Sequence, residues 1–171
     1  MAAEVAAFVL DLQRETSAGN DPSINVFPCG TVRCHSLPKN KAAATFDLLF
    51  KIPGNATLTT GLKVEVLLTD DGSRASDLGK VVRLGAAAKK IVGGTDNLDL
   101  STGAGTEATA DVTLNSTSGV AVIGTISITN ANLDSAAAGD WIGIRFRRIA
   151  DHANDTATGR VVCSGPAVYA Y

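Results

Sequence analysis

From about residue 43 onward a period of two dominates the order of apolar and polar residues, and it excludes a helical architecture for most of the 171-residue chain. TFDLLFKI puts Phe46, Leu48, Phe50 and Ile52 on one face and Thr45, Asp47 and Lys51 on the other. LKVEVLLT sets Leu62, Val64, Val66 and Leu68 against Lys63, Glu65 and Thr69, and EATADVTLN sets Ala108, Ala110, Val112 and Leu114 against Glu107, Thr109, Asp111 and Thr113. In GVAVIGTISITN, Val120, Val122, Ile126 and Ile128 share a side, with small or hydroxyl residues mostly opposite. Each run has the pattern of a strand with one buried face, and its β-branched content suits a pleated surface. PGN at 53–55, DDGS at 70–73 and STSG at 116–119 supply turn chemistry between runs.

Three further segments complete the set. KVVRLG (80–85) is a short strand candidate, and AAAKKI behind it suits either a helical turn or a strand end. WIGIRFRRI (141–149) and GRVVCSGPAVYAY (159–171) come after, with Gly165–Pro166 predicting a bend or bulge in the last strand. Seven or so short strands joined by Gly/Thr/Asn turns predict an all-β, jelly-roll-like β-sandwich over residues 43–171. Residues 1–42 differ: AAEVAAFVLDLQRE suits an Ala-rich helix or an alternating strand, SAGNDPS breaks it, and NVFPCGTVRCHSLPKN holds two prolines. The expectation for 1–42 is an extended or partly helical N-terminal arm lying on a neighbouring surface, or an extra strand of the same domain.

Composition narrows the function classes. A formal net charge of −2 lacks the electrostatic footprint of a nucleic-acid grip, so no direct nucleic-acid partner is expected. No apolar run approaches the roughly 18 residues that cross a bilayer as a helix, and Glu4 and Asp11 come too early for a secretory signal, which predicts a cytoplasmic product without a membrane partner. Cys29, Cys34 and Cys163 are an odd set suited to a reducing compartment. Cys29-x4-Cys34-His35 offers half of a zinc site without the other half, so neither a metal nor a cofactor is expected.

Catalytic candidates are few. His35 sits among prolines, and His152 sits in a predicted turn beside Asp151 and Asp155. No serine lies in a Gly-x-Ser-x-Gly elbow, and Asp70/Asp71 and Asp96/Asp99 fall where acidic side chains cap turns. No catalytic residue is assigned. The stretch RFRRIADHANDTATGR, residues 145–160, nevertheless holds four of the chain's eight arginines. With Ile142, Ile144 and Phe146 inward, Arg145 and Arg147 point out, Arg148 ends the strand and Arg160 returns across the turn. Together with Asp151 and Asp155 they form a candidate subunit-contact patch, able also to hold an anion.

The tail GDWIGIRFRRIADHANDTATGRVVCSGPAVYAY resembles the C-terminal strand-loop-strand of small jelly-roll virion proteins of tailed bacteriophages. Gly139-Asp140, the strand Trp141 to Ile149, Asp155-Thr156, Gly159 and the final Tyr171 carry the likeness. ATFDLLFKIPGNATLTTGLKVEVLLT is similar to the same family's strand-Pro-turn-strand segment, while Arg160 stands where that family has Asp. The resemblance implies a structural, non-enzymatic virion protein made in the host cytoplasm. Capsid cement or decoration is its foremost form, with the major capsid protein and copies of itself, as a homotrimer, for partners. The alternative is a tail or fibre adaptor, or a host-glycan-binding module that stacks sugar rings on Trp141, Tyr169 and Tyr171.

Overall fold

The computed structural model describes residues 4–6, 35–37, 45–72, 75–164 and 166–171, which form strands β1 (Glu4–Ala6), β2 (His35–Leu37), β3 (Thr45–Lys51), β4 (Gly61–Asp70), β5 (Val81–Ile91), β6 (Ala108–Thr113), β7 (Val122–Thr129), β8 (Trp141–Arg148), β9 (Val161–Cys163) and β10 (Ala167–Ala170). The α-helix and zinc readings of 7–34 therefore lie outside the described residues, as do Cys29 and Cys34.

All pairings are antiparallel and sort the strands into two sheets. Sheet B runs β3-β8-β5-β6. In sheet A, β4 has β7 on one side and both β9 and β10 on the other, β9 against Leu68–Asp70 and β10 against Leu62–Glu65. β9 and β10 are thus one strand interrupted near Pro166, the break that Gly165–Pro166 predicts. Ser164 spans it by donating its N–H to Leu67 O (2.9 Å) and accepting from Leu67 N at Oγ (3.0 Å). β1 lies beyond β10 and β2 beyond β9, so both described pieces of residues 1–42 add to the same sheet line.

With the broken strands merged, each sheet is four strands wide. From β2 onward, with β9 and β10 counted as one strand, the chain changes sheet at every connection except β5 to β6, which is the double Greek-key order of a jelly roll. Alternation positions the core. Leu62, Val64, Val66, Leu68, Ile126 and Ile128 of sheet A meet Leu48, Phe50, Leu84, Ile142, Ile144 and Phe146 of sheet B, all buried. Each such side chain contributes about 1.5–3 kcal/mol on leaving water. Gly124 marks a close approach of the sheets: a Cβ there would stand 2.9 Å from Leu68, 3.0 Å from Leu84 and 3.1 Å from Val112.

One open reading is decided and one expectation changes. Residues 81–91 form one continuous strand, β5, in which Ala86 and Ala88 take inward positions under Phe146 and Ile144 in register and need no larger side chain to be buried. Val120 does not join the inward face of β7. It is half-exposed in the preceding turn, where its N–H bonds Thr117 O at 3.3 Å.

Candidate interaction surfaces

The arginines at 145–148 alternate sides because the strand does. Arg145 stands directly opposite Asp47 of β3 and grips its carboxylate with two bonds, both 3.0 Å. Arg147 reaches the other way to Glu107, with Nε and Nη2 at 2.6 and 2.7 Å from the two carboxylate oxygens. That pairing raises the Arg147 pKa further, against a smaller opposing effect of burial. Arg83 of β5 adds a third pair, to Asp111 at 2.7 Å, while its Nε is buried without a partner. The three guanidinium groups on the outer face of sheet B are thus already matched within the protomer.

Arg148 does not belong to that face. It takes the inward parity of Phe146, and with 1% of its side chain exposed it pairs with the equally buried Asp155 at 2.6 Å. The six-residue patch therefore divides. Arg145 and Arg147 are half-buried and paired, Arg148 and Asp155 are interior, and Asp151 and Arg160 are exposed. The physical reason is the pleat, which sends residue 148 to the core whatever its charge, so a buried partner had to be supplied.

The connection 149–160 is held as firmly as a strand. Ile149 N bonds Arg83 O (2.8 Å), Thr156 N bonds Val81 O (2.9 Å), and the Arg83 N–H donates to Asp155 (3.1 Å). Asp77, itself buried, accepts from Thr158 N, Thr158 Oγ1 and Gly159 N at 2.7, 2.9 and 2.7 Å. His152 is exposed, and its Nδ1 accepts from Asn154 N (3.1 Å). Asp155 is committed to Arg148, so the two do not combine as an acid/base pair. Among the described residues no group of three or more His, Cys, Asp or Glu is placed to hold a metal. His35 is described in its backbone alone, opposite the buried Cys163.

The carboxylates of the turns act on the backbone. Asp96 accepts from Val92 N (2.8 Å) and Asp99 from Ser101 N (2.9 Å). Asp70 gathers Ser118 Oγ, Gly119 N, Gly72 N and Thr69 Oγ1, tying the end of β4 to the turn before β7.

Trp141, Tyr169 and Tyr171 do not share a platform. Trp141 is 49% exposed on the outer face of sheet B, level with Lys51 and Ile91. Val168 and Ala170 point inward, so Tyr169 and Tyr171 belong to the opposite outer face, that of sheet A. There the Lys63 ammonium lies 5.0 Å from the Tyr171 ring centre.

The sequence pattern did not reveal one further surface. On the outer face of sheet A, Leu67 and Ile123 are directly opposed across β4 and β7, 49% and 65% exposed. The signal that could have found them is the doubling Leu67-Leu68 and Val122-Ile123, where alternation fails and one apolar residue must face water. No protein-family model, curated protein or solved structure matches the chain.

Proposed function

We propose that this chain is a structural virion protein of a tailed bacteriophage, foremost a capsid cement or decoration protein that joins the major capsid protein and copies of itself. The reading starts from the resemblance of residues 43–171 and is supported by the jelly-roll body. The observation that carries it is the contrast between the two outer faces. Sheet B commits its guanidinium groups to internal pairs, whereas sheet A leaves Leu67 and Ile123 to water on a hydrogen-bonded, rigid surface. A body whose polar groups serve its own rigidity and whose apolar groups remain exposed suits a building block. In this role the chain performs no chemical step. The tail-adaptor form uses the same body, but a glycan-stacking form would rest on Trp141 alone, since the tyrosines face the other way.

The test is quantitative mass spectrometry of purified particles from cells carrying this sequence. A copy number comparable with that of the major capsid protein is expected. A number matching a single ring would move the protein to the tail, and its absence from particles would overturn the reading.

A further inference from the structure

The outer face of sheet A carries charge as well as apolar surface. Lys63 and Glu65 lie two residues apart on β4 and point the same way, both half-buried. Their cross-strand neighbours are uncharged: Tyr169 and Ser127 flank Lys63, and Ala167 and Thr125 flank Glu65. Sheet B, by contrast, sets Asp47 opposite Arg145. Among the described residues neither Lys63 nor Glu65 has an ion-pair partner. The face also carries large side chains, Tyr169 and Tyr171 on one flank and the exposed Leu67 and Ile123 toward one end, with the short Ala167, Thr125 and Ser127 between them.

We propose that this face binds the same face of a second copy of the chain about a two-fold axis lying between the sheets and crossing β4 between Lys63 and Glu65. A two-fold contact is self-complementary by necessity, each residue meeting its counterpart's partner. With that axis β4 runs antiparallel over β4, so Lys63 of each copy stands over Glu65 of the other, and two ion pairs form from two groups that have no ion-pair partner among the described residues. Leu67 then falls over Gly61 of the other copy and Ile123 over Thr129, in the row that Tyr171 closes on its other side, so the exposed apolar pair is set against the second sheet. Sheets stack this way about 10 Å apart, the separation that side chains of leucine and isoleucine size fill. The inference concerns a partner for this face and holds whether or not the chain belongs to a virion.

Light scattering on the purified full chain, over a concentration series, tests it. Wild type is expected as a dimer. Lys63→Glu and Glu65→Lys each place like charges across the axis and should weaken association by about a hundredfold. Mixing these two monomeric variants should restore a dimer, because a copy with two acids at 63 and 65 faces one with two bases. Leu67→Asp and Ile123→Lys should both yield monomers with wild-type circular dichroism and the melting temperature that wild type shows when diluted to monomer. A monomeric wild type, an assembly of any order that ignores these substitutions, or a mixture that stays monomeric would overturn the proposal.

Discussion

Arg148 and Asp155 meet in the interior as a two-pronged ion pair, Nε to Oδ2 at 2.8 Å and Nη2 to Oδ1 at 2.6 Å. The remaining guanidinium protons go to carbonyl oxygens, Leu37 at 3.1 Å and Gly159 at 2.7 Å from Nη1 and Ala157 at 2.6 Å from Nη2, so all five donors are used. This one side chain thereby ties β8 to the connection 149–160 and, through Leu37, to β2.

Removing Asp155 leaves that cation buried without its counter-charge. Asp155→Ala should cost about 3–5 kcal/mol, the range for breaking one half of a buried pair. Denaturant titration measures it. Arg148→Met combined with Asp155→Leu should recover part of the loss, since no isolated charge remains. A single substitution costing under about 0.5 kcal/mol, the range of a neutral surface change, would contradict the role given to the pair.

Asp70 predicts an acid dependence. Burial pushes its carboxyl up, but the hydrogen bonds from Ser118, Gly119, Gly72 and Thr69 together outweigh burial and bring it below the ordinary 3.8. A carboxyl more acidic in the folded state than in the unfolded chain contributes stability that is complete above 3.8 and is lost as the pH falls through the lower folded value. Asp70→Asn should therefore destabilise at neutral pH and less so in strong acid. Urea melts of both proteins at neutral pH and near pH 3 check the sign. A difference that stays constant, or grows on acidification, would exclude the assignment. Asp111, held low chiefly by Asn154, and Asp140, held low chiefly by Lys90, titrate in both proteins and cancel from the comparison.

The inward faces were legible because alternation depends only on local covalent geometry: Phe50, Val64, Ile126 and Ile144 are buried where their parity puts them. The rest depends on partners distant in sequence. Arg148 shares the parity of Phe146, yet its type suggested the surface, and its burial is made possible only by Asp155 and the carbonyl of Leu37, 111 residues away. The alanines of β5 give no periodic signal of their own, since a methyl group is compatible with helix, strand or turn, and β8 and β6 on either side fix them as strand. The candidate surface was obscured for another reason. Leu67 and Ile123 read singly as ordinary exposed residues, and only the β4–β7 register places them side by side.

The last prediction concerns the connection 92–107, which folds over the outer face of sheet B. Its anchor is Leu100, only 4% exposed, whose side chain occupies the space that a Cβ on Gly143 would need. Lys89, in register with Gly143, assists by donating to Asp99 O at 3.2 Å. Gly143→Ala should displace Leu100 and cost about 1–3 kcal/mol, as overpacking does. The same displacement should raise the rate of limited proteolysis within 92–107 while leaving the rest of the chain resistant, because the two-sheet core lies beneath it. Leu100→Ala tests the mechanism. If the two residues compete for one space, the smaller side chain makes room for the new methyl, and the cost of the double variant falls below the sum of the singles. Costs that simply add would show that Gly143 is required for a reason other than seating Leu100.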